Sequence, residues 1–250
     1  MKACGHGLTC GFPPTRIHEM LFSKKMIFMK TIVVASQKGG SGKTTLCAHL
    51  AVEAERSGDG PVWLIDTDKQ GTLSMWHSRR ETEAPQRADI QFAQLERGLA
   101  ALAKRGAAYC LIDTPPTISE QNSKVLEMAD LVLVPVRPSP ADLWAVSETV
   151  SLIRQAEKSF LFVITQAKSN ASITAQTIAA LSHHGRVAKT FVSDRVPYAA
   201  AMTGGHSAPE LASRGPASQE IAGVWQDVKS CFNEKNISLK KKGKTQWLSL

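Results

Sequence analysis

Eight consecutive residues, from Gln37 to Thr44, have the types and spacing of a loop that holds phosphate groups. They follow the pattern G-x-x-x-x-G-K-[ST], except that Gln37 replaces the first glycine. In such a loop, backbone N–H groups surround the phosphates, the lysine meets the terminal phosphates, and the final hydroxyl binds Mg²⁺. The spacing therefore predicts that Lys43 contacts the β- and γ-phosphates of a nucleotide and that Thr44 binds the metal.

The sequence on either side of the loop predicts the strand and helix that such a site requires. Residues 32–35 form a short, mostly β-branched apolar run, which is typical of a strand buried on both faces. After the loop, Leu46, Leu50 and Ala54 recur at helical spacing. The positive N-terminus of this helix then faces the phosphates. A chance glycine-rich turn is the alternative, but it does not account for the flanking elements.

The lysine near the start of the loop, Lys38, has no role in the phosphate-loop pattern. A single nucleotide needs one lysine at its terminal phosphates, and Lys43 supplies it. A second cation at this position therefore indicates a role elsewhere, and we place that role across a subunit boundary.

The run from Lys38 to Thr45 resembles the deviant Walker A motif of the ParA/MinD ATPases, and Lys38 matches their signature lysine. The resemblance implies a homodimer that encloses two ATP molecules, in which each signature lysine reaches the phosphates held by the partner. A positive charge supplied in this way offsets the charge that develops on the γ-phosphate. The nucleotide-binding residues implied by the motif are Gly39, Gly40, Ser41, Gly42, Lys43, Thr44 and Thr45.

Three aspartates, Asp66, Asp68 and Asp113, follow predicted buried strands. Ligands of open parallel sheets bind at the carboxyl edge of the strands. By resemblance, Asp66 lies near Mg²⁺ and the loop lysine, Asp68 positions or activates the attacking water, and Asp113 is the Walker B aspartate that holds Mg²⁺ through a water. A charged surface turn is the alternative for the first pair.

The same resemblance predicts catalysis by Lys38, Lys43 and Asp68, with Thr44, Asp66 and Asp113 as metal ligands. The reaction expected is a slow, Mg²⁺-dependent and partner-stimulated hydrolysis of ATP to ADP and phosphate. Family members usually continue with Pro-Gln after the second aspartate, whereas this chain has Lys69 at the proline position. A lysine beside Asp68 lowers the basicity of that carboxylate, which also favours slow turnover.

Residues 131–138 are predicted to form a strand that ends in Pro135-Val136-Arg137-Pro138, where the two prolines favour a fixed loop. By resemblance this loop lies near the nucleotide base and the dimer face, so Pro135 and Arg137 are candidate nucleotide contacts. A solvated loop charge is an equally good interpretation of Arg137. Residues 70–76 and 194–198 are similar to small plasmid-type ParA proteins, which lack an N-terminal helix-turn-helix domain.

The wider pattern alternates strands and helices. Buried-strand patterns occur at 32–35, 62–65, 109–112, 131–136 and 160–164, and helical patterns at 93–105, 119–128, 141–156, 171–183 and 217–232. This order predicts an α/β fold with an open, mostly parallel sheet and helices on both faces, which the resemblance identifies as a P-loop NTPase of the deviant Walker A type. We expect a disordered extension over 1–28, the ATPase domain over 29–233 and a basic tail over 234–250.

Composition limits the cellular location and the kinds of binding site that we expect. No apolar run reaches the roughly 18–20 residues that span a bilayer, so we expect a cytoplasmic protein, and the resemblance to the ParA/MinD ATPases implies that it associates with the nucleoid. The five cysteines are scattered, and Cys4, His6 and Cys10 lack a second pair with metal-site spacing, which favours reduced thiols. The net charge is +8, but 1–30 and 234–250 each hold five basic residues and one acidic residue, so the segment between them is neutral.

Three functions remain open at this stage. In the first, an ATP-bound dimer binds DNA without sequence preference, and a small centromere-binding, ParB-like partner triggers its release, which segregates a plasmid or chromosome. In the second, the lysine-, leucine- and tryptophan-containing tail docks on a membrane as in MinD, although Gly243 interrupts it. In the third, the same ATPase positions a protein cargo. Candidate DNA contacts are Lys168, Arg186, Lys189, Arg195 and Arg214, although an ordinary surface charge is the interpretation favoured for each of them taken singly.

Overall fold

A computed structural model describes residues 28–117, 120–168 and 172–245, and the side chains among them up to residue 233. One six-stranded parallel sheet has the strand order β3-β2-β4-β1-β5-β6. Its strands are β1 (Lys30–Val34), β2 (Val62–Asp66), β3 (Gln86–Arg87), β4 (Tyr109–Asp113), β5 (Leu131–Val136) and β6 (Phe160–Ile164). The five predicted strands are all present, and the predicted α/β class is confirmed.

Helices connect the strands and cover the sheet. They are α1 (Lys43–Arg56), α2 (Thr72–Ser78), α3 (Leu95–Lys104), α4 (Glu120–Glu127), α5 (Pro140–Gln155), α6 (Ser172–Ser182), α7 (Val196–Thr203), α8 (Ala208–Leu211) and α9 (Pro216–Thr245). The sequence did not predict α2, α7 or α8, which are short, or the two-residue edge strand β3. The last helix ends at Thr245 rather than near residue 232, so its backbone extends into the segment predicted as a basic tail.

The core has two layers because side chains alternate along each strand. Ile32 and Val34 of β1 pack on the face covered by α1 and α9, whereas Val33 packs on the face covered by α3 and α5. Trp225 of α9 is fully buried in the first layer. Burial on both faces explains why the strands are almost continuously apolar.

The strand predicted over 131–136 is present with these bounds, but the loop predicted at its two prolines begins only at Arg137. Pro135 lies within β5, in register with Val163 of β6. The Val132 N–H and the Val136 carbonyl form hydrogen bonds with the chain of β6. Because backbone groups alternate in direction along a strand, the nitrogen of Pro135 faces β1. The pairing with β1 ends at Leu133. A residue without an N–H is tolerated there because no strand remains to accept its hydrogen bond.

Two further predictions concern the ends of the chain. The extension predicted over 1–28 lies outside the described residues, apart from the exposed Phe28, and so do the cysteine-histidine group near the N-terminus and residues 246–250. Among the described residues, no helix combines the length and hydropathy needed to cross a bilayer.

Candidate functional site

The loop between β1 and α1 forms a backbone cradle. Gly40 and Gly42 have φ angles of 72° and 88°, a region that glycine enters without steric cost. α1 begins at Lys43, directly after Gly42, and no side chain caps its N-terminus. The N–H groups of the first helical turn therefore remain available to an anionic ligand.

Lys43 lies inside this cradle. Its side chain is mostly buried, with the whole residue 7% exposed, and its Nζ donates a hydrogen bond of 3.2 Å to the Lys38 carbonyl oxygen across the loop. Burial lowers the pKa of Lys43, and the nearby carboxylates of Asp113 and Asp68 oppose that shift. A phosphate anion in the cradle would favour the charged form further.

Parallel pairing brings two of the predicted carboxylates together at the end of the sheet. Asp66 and Asp113 are register partners at the ends of β2 and β4. The Thr44 hydroxyl donates a 2.6 Å hydrogen bond to Asp113 Oδ2, whereas the buried Oδ1 has no hydrogen-bond partner among the described residues. Burial raises the pKa of Asp113 to about 7, against the hydrogen bond from Thr44 and together with repulsion from Asp66.

Asp66 and Asp68 are held by backbone groups rather than by cations. Asp66 accepts hydrogen bonds from the Asp68 N–H (3.0 Å) and, at the start of α2, from the Ser74 N–H (2.9 Å). Asp68 is half-buried and accepts a 3.0 Å bond from the Gln70 N–H through one oxygen. Lys69 is exposed. These bonds fix both carboxylates just after β2 and link Asp66 to α2.

Two residues that the sequence analysis missed support the cradle from the end of β6. Thr165 donates a 2.7 Å hydrogen bond to the Ser41 carbonyl, and Gln166 donates one of 2.8 Å to the Gly40 carbonyl. A Cβ added at Gly42 would lie 3.7 Å from the Thr165 side chain. No motif marks these positions, but both lie just beyond a predicted strand, at the edge where ligands of parallel sheets bind.

Lys38 and Arg137 lie on the outer side of the loop. Lys38 is half-exposed, and within the described part of the chain its ammonium group has no hydrogen-bond or ion-pair partner. Arg137 Nε forms a 3.1 Å ion pair with Asp142, whose side chain is 2% exposed. Its Nη1 would be 3.6 Å from a Cβ built on Gly40. The buried carboxylate thus holds the guanidinium beside the cradle.

A cavity of about 180 Å³ opens beside the first turn of α1. Thr45 and Leu46 line it on one side, and residues 192–195 and 198–199 line it on the other. Pro135 and Arg137, which were predicted to lie near the base, are not among its lining residues. Their role in nucleotide binding stays a prediction. The cavity is a second candidate location for the nucleoside, the part of a nucleotide that is attached to the phosphates.

The oxygen atoms at the cradle suit Mg²⁺. A hydroxyl and a carboxylate, from Thr44 and Asp113, are hard ligands, and the buried Asp113 Oδ1 has no hydrogen-bond partner in the part of the chain that the structure describes. In the residues that the structure describes, no three His, Cys, Asp or Glu side chains are close enough to bind a metal by themselves.

The candidate DNA contacts divide into two groups. Lys168, Lys189 and Arg214 are exposed. Arg186 and Arg195 have partners within the protein, because Arg186 donates to Ser230 at 2.8 Å and Arg195 pairs with Glu220 at 2.9 Å.

Comparison with known proteins agrees with this geometry. Residues 32–207 match the family described as the CobQ/CobB/MinD/ParA nucleotide binding domain. The chain is 29% identical over 208 residues to maintenance of carboxysome distribution protein A of Halothiobacillus neapolitanus, covering 79% of this chain and 95% of that protein. It is 30% identical over 133 residues to protein ParA of Rhizobium radiobacter, covering 52% and 59%.

Two solved structures show the same fold. An ATP complex of a Cyanothece McdA variant has a TM-score of 0.65 at 20% identity and covers 81% of this chain and 97% of that one. MinD from Pyrococcus horikoshii with Mg-ADP has a TM-score of 0.69 at 15% identity and covers 80% and 96%.

Proposed function

Because the chain belongs to the CobQ/CobB/MinD/ParA family of nucleotide-binding domains, we propose that it is an ATPase that dimerises around ATP and binds DNA in that state. The observation that carries the proposal is the cradle with two lysines. Lys43 is buried inside it, whereas the Lys38 ammonium, on its outer side, has no partner among the described residues. A cation left unpaired at that position is placed to meet an anion from outside its own subunit.

Hydrolysis follows from the groups around the terminal phosphate. Lys43 and the N-terminus of α1 stabilise negative charge on the phosphates. Asp68, held at one oxygen by the Gln70 N–H, keeps its other oxygen for the attacking water. Lys38 of the partner subunit adds positive charge as the γ-phosphate leaves. Thr44 and Asp113, with Asp66 nearby, would hold Mg²⁺, which would supply further positive charge to the phosphate oxygens.

We propose DNA segregation as the process that this ATPase drives. The ATP-bound dimer holds DNA through phosphate contacts from exposed cations such as Lys168, Lys189 and Arg214. A small centromere-binding partner then stimulates hydrolysis and release. The similarity to protein ParA of Rhizobium radiobacter supports this proposal.

The second candidate function is the positioning of a protein cargo by the same DNA-bound ATPase. It is favoured by the match to maintenance of carboxysome distribution protein A, which covers 95% of that protein. Both candidates need the same ATP-dependent DNA binding, and they differ only in the partner. A membrane-docked function is less favoured, because the lysines of the tail are clustered in the sequence at 240–242 rather than spaced along one helical face.

Co-sedimentation with nonspecific DNA tests the shared step. The protein is mixed with DNA in the presence of ATP, ADP or no nucleotide, and the series is repeated with anionic phospholipid vesicles. We expect retention on DNA with ATP alone, and a steep loss of retention as salt increases. The Lys43→Ala variant is the control, since it cannot hold the nucleotide. Retention on vesicles and not on DNA would instead support membrane positioning, and nucleotide-independent binding to both would contradict the proposal.

A further inference from the structure

One wall of the cavity beside α1 is fixed by a single carboxylate that lies outside the cavity lining. Glu220, in the second turn of α9, accepts hydrogen bonds from the Ser193 N–H (3.0 Å), the Ser193 hydroxyl (2.7 Å), Arg195 Nε (2.9 Å) and the Tyr198 hydroxyl (2.7 Å). All three donor residues line the cavity, whereas Glu220 does not. Both carboxylate oxygens are therefore used to fix one short segment of chain.

The chemistry of this contact makes the segment rigid. Only 13% of the Glu220 side chain is exposed. Burial by itself would raise the pKa of Glu220, but the bonds from Tyr198, Ser193 and Arg195 outweigh it and lower that pKa. The group is therefore a carboxylate that accepts four bonds, two of them from uncharged hydroxyls and one from a guanidinium. Bonds to a charged acceptor are stronger than neutral ones.

The same wall also contacts the helix that begins at the phosphate loop. The Tyr198 ring meets the ring of His49 edge to face, with 5.2 Å between centroids. His49 is fully buried in α1, and its Nδ1 lies 2.8 Å from the Thr45 carbonyl oxygen. Thr45 itself lines the opposite side of the cavity. The width of the cavity is thus set by contacts that run from Glu220 through Tyr198 to the first turns of α1.

We propose that Glu220 is a positioning residue that fixes the cavity wall Ser193–Tyr198 against α1 and so determines how the base of the bound nucleotide is held. The inference rests on the proposed function, because it requires the phosphates to occupy the loop. With phosphates at Gly42 and Lys43, the adjoining cavity at Thr45 is where the rest of the nucleotide lies. Glu220 acts on the base through the wall and touches neither the base nor the phosphates.

The same helix provides a matched control. Asp227 of α9 also accepts two backbone N–H bonds from the preceding segment, from Lys189 (2.8 Å) and Thr190 (3.0 Å), and it is 8% exposed. Neither of these donors lines the cavity. Removing the negative charge at Asp227 therefore perturbs the attachment of α9 to the same loop without loosening the wall.

The experiment measures the dissociation constants of ATP and of inorganic tripolyphosphate, each with Mg²⁺, for the full chain and for Glu220→Gln and Asp227→Asn. The amide of Glu220→Gln keeps the size of the side chain but turns an N–H group towards two of the donors. We expect this variant to bind ATP about tenfold more weakly, because charge-assisted bonds are lost. Tripolyphosphate binding should stay within about twofold, since the loop is untouched. Asp227→Asn should change neither constant.

A second variant keeps the test decisive if Glu220→Gln does not fold. Tyr198→Phe retains the ring against His49 and removes one bond to Glu220, so it should weaken ATP binding about threefold and leave tripolyphosphate unchanged. Equal weakening for both ligands, or unchanged ATP affinity in a folded variant, overturns the inference. Wild-type protein that binds tripolyphosphate as tightly as ATP also overturns it while leaving the phosphate loop in place. Wild-type protein that binds neither ligand contradicts the proposed function itself.

Discussion

Replacing Thr165 by valine tests whether the end of β6 holds the phosphate loop in shape. Thr165 is 4% exposed, and its hydroxyl donates a 2.7 Å bond to the Ser41 carbonyl oxygen. Valine has nearly the same shape, so Thr165→Val removes the hydrogen bond and leaves a carbonyl facing a methyl group. Leaving a buried polar group unsatisfied costs about 1–3 kcal/mol. For a chain of this size we expect the melting temperature to fall by about 2–12 °C.

A matched substitution separates the hydrogen bond from the effect of valine itself. Thr177 of α6 is 0% exposed, and its hydroxyl has no hydrogen-bond partner among the described residues. Thr177→Val removes a buried polar group that is already unsatisfied, so it should leave stability unchanged or increase it. Thermal unfolding of both variants, together with ATP titration, gives the comparison. Weaker ATP binding is expected for Thr165→Val alone.

The reasoning is refuted if Thr165→Val melts with wild-type protein and binds ATP equally well. It is also refuted if the two variants are equally destabilised, because the loss would then come from placing valine in the interior. A fall in stability confined to Thr165→Val, accompanied by weaker ATP binding, is the result that connects the bond to the cradle.

Three other substitutions probe separate parts of the site. Lys43→Ala should abolish ATP binding in equilibrium titration, because it removes the cation inside the cradle; a Lys43→Ala variant that binds ATP normally contradicts the assigned role. Asp68→Ala should accumulate as an ATP-bound dimer in size-exclusion chromatography with hydrolysis lost, and wild-type turnover would remove Asp68 from catalysis. Burial lowers the pKa of His49 from 6.5 to about 4, so the unfolded chain takes up its proton first as the pH falls. The contribution of neutral His49 to the free energy of unfolding is fully present above pH 6.5 and should therefore decrease by about 1.4 kcal/mol per pH unit towards pH 4. In denaturant titrations, the free energy of unfolding of His49→Gln should depend less steeply on pH. Equal slopes for the variant and the wild type would show that His49 does not titrate this way.

The sheet and the phosphate loop were predictable from sequence because each has a local signal. The strands around Ile32 and Leu111 are short apolar runs between polar turns, and burial on both faces requires such runs. The loop has a fixed spacing because the backbone must close around phosphate. Asp66 and Asp113 could be placed at one edge because parallel strands end on the same side of a sheet.

The remainder depends on tertiary contacts that no local pattern records. Thr165 and Glu220 lie far from the loop in the chain, and only the packing of β6 and α9 brings them to the site. The prolines at 135 and 138 indicated a loop at the end of the predicted strand, yet the early end of the β1 pairing allows Pro135 to lie within the strand. The short helix α2 has too few residues to show a helical period, although Ser74 at its start binds Asp66.

A mixing experiment tests most directly whether Lys38 serves the nucleotide of the partner subunit. Lys38→Ala and Asp68→Ala are each expected to be inactive alone. In a mixed dimer, the Lys38→Ala subunit keeps its own Asp68 and receives Lys38 from the other subunit, which restores one complete site. Equal mixing before ATP is added should therefore recover up to about a quarter of wild-type ATPase activity, since half of the dimers are mixed and each has one working site. No recovery at any mixing ratio would contradict a lysine that acts across the subunit boundary.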